Sequence, residues 1–105
     1  MRRTITIPLI GGQAARVPAW VDPSGTFAIH HAIWNATVTE DTWSVTHLRT
    51  GLLIATNKTR HQAGRIVEVA LASGVDWQQD APYYTANKEQ PAHQAFAKAV
   101  GVVQP

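Results

Sequence analysis

Five histidines, His30, His31, His47, His61 and His93, carry the richest chemistry of this sequence, because a neutral imidazole can ligate zinc or move a proton near neutral pH. Spacing decides against a metal centre. His30 and His31 are adjacent in a run with strand character, so they point to opposite faces and cannot chelate together. His61 and His93 fall in separate helical patterns, each without a second ligand one turn away. Asp41, Ser44 and His47 supply the residue types of a hydrolytic triad, yet they lie within one strand and its approach, with no nucleophile elbow or glycine-rich oxyanion loop nearby. Ser44 and His47 also face opposite sides of a regular strand. Glu40-Asp41 are neighbours in a polar stretch and not a spaced pair of catalytic or metal-binding carboxylates. Gly11-Gly12 lacks the spacing and the trailing helix of a phosphate loop and is expected to form a turn. These residues predict a protein without metal or cofactor, acting by binding and not as an enzyme.

Charge gives a different signal. The formal net charge of +2 is too small to name a partner, but its distribution is uneven. No Asp or Glu occurs between Thr42 and Val67, whereas His47, Arg49, Lys58, Arg60, His61 and Arg65 all fall there. Lys58, Arg60 and His61 surround the start of a helical pattern, where the dipole ordinarily favours acidic residues and where backbone N–H groups attract anions. These six residues are the expected contact set for nucleic acid or an acidic protein surface. Trp20, Trp34, Trp43 and Trp77 could serve as stacking platforms or interface anchors, with one or two needed for packing and Trp77 placed to cover a helix end.

Trp43, Val45, Thr50-Gly51, Lys58-Thr59 and Ala63 follow one another in an order that resembles the arm-type DNA-binding domains of tyrosine recombinases, with their W-x-V strand, T-G hairpin and K-T-x-x-x-A helix start. The likeness covers a quarter to a third of the chain. It implies a sheet packed on a helix and laid into the DNA major groove. Leu52-Leu53-Ile54 stands where such a strand would carry basic and polar residues, leaving Thr46, His47 and Arg49 to reach the DNA. An apolar strand of this kind predicts a sheet covered on both faces, the outer one by a second helix or another protein. In general composition the chain is also similar to small phage-encoded accessory proteins that bind and block a host protein.

The elements that must position these residues are legible from periodicity. Thr4 to Ile7 alternates as a half-buried strand, and Pro8, which cannot donate to a ladder, places it at an edge. A second strand runs over Arg16 to Val21, closed by the turn formers Asp22-Pro23-Ser24-Gly25, and a third over Phe27 to Trp34. Polar Asn35 to Thr42 is expected to connect to a strand from Trp43 to Leu48, then a hairpin loop with Gly51 in the left-handed region and a return over Leu52 to Ala55. Thr59 and Gln62 form a capping box, after which Ala63, Ile66, Val67, Ala70, Leu71 and Gly74 keep helical spacing, with Gly74 at the end. Gln78 to Ala86 has a loop-like composition, with Pro82, Tyr83 and Tyr84 available to cover the helix end, and a second helix is predicted from Pro91 to Val100.

The whole therefore predicts one α+β domain over residues 1–105, an antiparallel sheet of four to five strands packed on one main helix, with a second C-terminal helix. With 45% hydrophobic and 15% charged residues, the composition is that of a globular chain. No cysteine is present, no apolar run approaches a membrane span, and Thr6 and Pro8 interrupt any signal-peptide core, so the expected location is cytoplasmic. The leading expectation is a phage or mobile-element accessory protein that contacts nucleic acid, the alternative a protein-interaction module or inhibitor of a host protein that could pair with its own copy.

Overall fold

In the computed structural model, residues 2–8, 11–34 and 37–103 are described. Five strands, β1 (Arg2–Pro8), β2 (Ala14–Val21), β3 (Phe27–Trp34), β4 (Thr37–His47) and β5 (Leu53–Lys58), pair in chain order as one antiparallel meander. Three helices follow: α1 (Arg60–Ala72), α2 (Ala81–Ala86) and α3 (Pro91–Gly101). This is the α+β architecture expected from the sequence, with Pro8 on an edge strand as its missing N–H requires.

Local chemistry sets the turns and the main helix. The turn after β2 closes with the Gly25 N–H donating to the Asp22 carbonyl at 2.9 Å, and Gly51 takes a positive φ of 74° in the β4–β5 hairpin. Thr59 caps α1 reciprocally: its hydroxyl accepts from the Gln62 N–H at 3.0 Å while its own N–H donates to Gln62 Oε1 at 2.9 Å. Gly74, at φ 80°, follows the C-terminal end of the same helix.

Packing gives the sheet two different faces. Ala63, Ile66, Val67 and Ala70 of α1 are buried against Phe27, Ile29, Val45 and Ala55. Full burial of Ile66 and Val67 alone contributes about 1.5–3 kcal/mol each. Phe96 and Val100 of α3 and the ring of Trp77 join the same cluster, and the Trp77 indole N–H donates to the Ala70 carbonyl at 2.9 Å, covering the helix end as expected. On the opposite face Ile5, Val17, Ala19 and Val21 form a second buried cluster with Ala28. Among the described residues Trp20↔Ile29 and Val21↔Ala28 pair β2 with β3, so the β1–β2 hairpin joins the rest of the sheet through the end of β2.

Three sequence expectations are corrected. The outer face is filled by that hairpin cluster, while the C-terminal helix packs beside α1, where Gln62 Nε2 also donates to the Val103 carbonyl at 3.3 Å. Thr37 to Thr42 belongs to β4 and is no connection, because its β-branched residues pair with the end of β3; Asn35 and Ala36 lie outside the described residues. Within Gln78 to Ala86, the short helix α2 starts at Ala81, and Pro82 stands in its first turn with its φ fixed in the helical range.

Candidate functional site

The six basic residues expected to act together are divided between the two ends of α1. At the end near Gly74, His47 is fully buried. The Trp77 carbonyl, 2.8 Å from Nε2, can only accept, so Nε2 carries the proton and Nδ1 accepts from the Thr50 hydroxyl at 2.8 Å. Burial lowers its pKa, the Trp77 carbonyl opposes that, and the Arg49 charge adds to the lowering. Arg49 itself reaches Asp80 at 3.2 Å. His47, Phe27, Trp77 and Tyr84 make ring contacts at 4.9–5.7 Å, so this end is a packed lock between the hairpin and the helices. His47 is thereby corrected from a surface contact to a core residue.

The other end holds Lys58, Arg60, His61 and Arg65. Five residues of β5 separate it from the hairpin loop, about 17 Å at ~3.3 Å per residue. Arg65 pairs with Glu68 one turn on at 3.2 Å, and Arg60, His61, Gly64, Arg65 and Glu68 line a shallow depression on the exposed side of α1. Arg60 lies with its guanidinium carbon 5.7 Å from the Trp20 ring centre and 5.6 Å from that of Trp43, within the range of a cation–π contact to both. A Cβ built on Gly64 would stand 3.4 Å from Arg60 Nη1, at ordinary van der Waals contact, so the guanidinium lies along this side of the helix.

Cross-strand pairing brings more residues to this place. Arg2 is opposite Trp20, His31 opposite Trp43 and Trp43 opposite Lys58, and directly paired residues share a face. His31 stacks on Trp43 with ring centres 3.9 Å apart and 29° between planes. Two irregularities create the arrangement. His31 pairs with Trp43 but Ala32 with Thr39, so Glu40, Asp41 and Thr42 are extra residues in β4. Trp43 pairs with Lys58 but Val45 with Ala55, and the residue this adds to β5 is accommodated with Asn57 at φ 58°. Among the described residues, two buried side-chain atoms lack a hydrogen-bond partner, His31 Nδ1 and Thr42 Oγ1, and both flank Trp43.

Trp20, Trp43, His31 and Lys58 are half-buried and Arg2 and Arg60 exposed, so rings and cations meet at the surface. Among the described residues, no carboxylate forms an ion pair with Arg2, Lys58 or Arg60. Sequence inspection missed Arg2 and His31 because only strand register places them here. The Trp34 side chain lies outside the described part. Ser44 and His47 make no contact with each other: Ser44 Oγ shares a hydrogen bond with Thr56 at 2.8 Å. Among the described residues no cluster of three or more His, Cys, Asp or Glu could hold a metal ion, and no helix is long and apolar enough to cross a membrane.

Fold and site together define a small α+β domain with a mixed cationic and aromatic surface at the start of its main helix. Comparison with protein-family models, curated proteins and solved structures returns no match.

Proposed function

We propose that this domain is a binding module that contacts nucleic acid through the surface at the start of α1. The observation that carries this is the gathering of Arg2, Lys58 and Arg60, none ion-paired with a carboxylate among the described residues, around the half-buried indoles of Trp20 and Trp43. Cations neutralise phosphates and release counterions, while indole rings supply stacking faces to bases. His47, buried, and Arg49, exposed and ion-paired with Asp80, are at the far end and outside this surface. Mobility shifts at low salt with random DNA and RNA test the proposal. A shift at micromolar protein that the double variant Arg2→Glu/Lys58→Glu abolishes, with its melting point retained, supports it; no shift with any nucleic acid refutes it.

A second function is favoured by Leu52 and Leu53, 39% and 58% exposed beside and on the edge strand β5. Exposed leucines at an open edge suit a protein contact, with another protein or a second copy of this chain. Light scattering after size exclusion tests the self-pairing form: a dimer that Leu53→Lys converts to monomer supports it, and a monomer at high concentration removes it.

A further inference from the structure

We infer that the surface at the start of α1 takes unpaired nucleotides, a short run of single-stranded DNA or RNA, in preference to a duplex. The inference rests on the nucleic-acid function proposed above and adds the class of ligand. Bases in a duplex are stacked on one another and offer only their edges in the grooves, so an indole face has nothing to receive from them. A single strand presents ring faces, and aromatic side chains take them with little regard to sequence. Here the two indoles lie inside the set of cations and not beside it: Arg2 is the cross-strand neighbour of Trp20, Lys58 that of Trp43, and Arg60 contacts both rings. Phosphate contacts and stacking faces therefore alternate over the width of the sheet, four strand spacings or roughly 19 Å. That is room for few nucleotides, in keeping with the smallest single-strand sites of about four.

Arg60 shows how a base would seat. A guanidinium plane and a nucleobase occupy the same kind of place over an aromatic ring. In the free protein the Arg60 guanidinium lies between Trp20 and Trp43, 5.7 and 5.6 Å from their ring centres, while His31 stacks on Trp43 from β3. A base arriving on either indole replaces the guanidinium, and the displaced cation, on an exposed and flexible side chain, turns to the adjoining phosphate. Arg2, Lys58 and Arg60 then make three phosphate contacts, which for a single strand sets a slope of log K against log salt of about −2.

The test is fluorescence anisotropy of labelled dT12, U12 and a blunt-ended 12-base-pair duplex, titrated with the full chain between 20 and 200 mM salt. The expected result is binding of either or both single strands, at least tenfold tighter than the duplex, with the stated slope. Trp20→Leu and Trp43→Leu, which keep apolar bulk and remove the stacking face, should each weaken single-strand binding by about tenfold, and Lys58→Gln should reduce the slope by about 0.7. Circular dichroism melting establishes that each variant folds; should Trp43→Leu fail, Trp20→Leu and the surface change Lys58→Gln still decide. Duplex bound as tightly as single strand, or folded Trp variants that bind like the parent, overturns the single-strand inference and leaves the nucleic-acid function standing. No binding of any of the three probes overturns both.

Discussion

Asp22 offers the sharpest test of how this chain holds its site in place. Asp22 is 1% exposed and stands one residue beyond the Val21↔Ala28 pair that joins β2 to β3. Its Oδ1 accepts from the N–H groups of Thr26 at 3.0 Å and Phe27 at 2.6 Å, and its Oδ2 from the Ser24 N–H at 2.9 Å and from the Ser24 hydroxyl. Burial pushes this carboxyl up, but hydrogen bonds from the Ser24 hydroxyl and the backbone of Phe27, Ser24 and Thr26 outweigh it and hold it below its ordinary value. Asp22→Ala leaves the Thr26 and Phe27 donors unpaired inside the fold, at about 1–3 kcal/mol each, whereas the Ser24 N–H can turn to water. A loss of about 2–6 kcal/mol follows, a large part of the ~5–15 kcal/mol that such a domain commands.

Urea unfolding followed by tryptophan fluorescence reads this directly. With an m value of ~1–3 kcal/mol/M, the midpoint should fall by at least about 0.7 M. Asp22→Asn separates charge from shape. A depressed carboxyl contributes stability present above the unfolded-state pKa and lost as pH falls through the lower folded-state value. The gap between the parent and Asp22→Asn should therefore be full at neutral pH and close only below about pH 4. An Asp22→Ala midpoint equal to the parent's, or a gap to Asp22→Asn unchanged in strong acid, would refute this account of the turn.

Two further outcomes follow from buried or strained positions. His47 and His30 both have lowered pKa values, first through burial, and His30 is fixed by Nδ1 donating to the His31 carbonyl at 2.9 Å and Nε2 accepting from Thr46 at 2.8 Å. Both are neutral in the fold, so stability is full above the unfolded value of about 6.5 and is lost as pH falls from there through the folded-state values; the urea midpoint should decline from pH 7.5 to 5, and His47→Gln should flatten part of that decline. Asn57, at φ 58°, is in a region that costs a β-branched residue about 1–2 kcal/mol, so Asn57→Val should lower the urea midpoint and weaken nucleic-acid binding by moving Lys58 off Trp43, while Asn57→Gly should match or exceed the parent in stability.

Elements set by neighbours in sequence were open to reading. Thr59 and Gln62 are three residues apart, and their capping box is settled within one helical turn. Gly51, Gly74 and the Asp22 to Gly25 turn are likewise local. His47 was not legible, since its place in the core depends on the Trp77 carbonyl, reached only when the chain after α1 returns across the sheet. Nor was the slip at His31/Ala32: the polar residues Glu40 and Asp41 read as loop, while the pairing on both sides carries them into the strand. The Trp20, Trp43 and Arg60 assembly draws on β2, β4 and α1, and Arg2 enters it only through β1–β2 register, so no spacing in the sequence could announce it.

Register also changes what the cationic start of α1 means. No acidic residue occupies its first turn, a departure that costs about 0.3–1 kcal/mol at an exposed terminus. For Arg60 the structure provides an offset, because cation–π contacts contribute about 0.5–1 kcal/mol when exposed and more when desolvated, and this guanidinium has two rings. Packing therefore accounts for Arg60 with no ligand at all. It does not account for Arg2 and Lys58, which arrive from the two edge strands, form no ion pair with any carboxylate among the described residues, and flank the same indoles. Like charges on the two edge strands, roughly 19 Å apart at four strand spacings, repel in water by only about 0.2 kcal/mol, so the fold tolerates the cluster easily and its stability says nothing of function. Salt dependence of binding does, because phosphates engaged by cations release counterions, and the part of the slope lost when Arg2 and Lys58 are neutralised measures their engagement independently of how tightly the rings hold the bases.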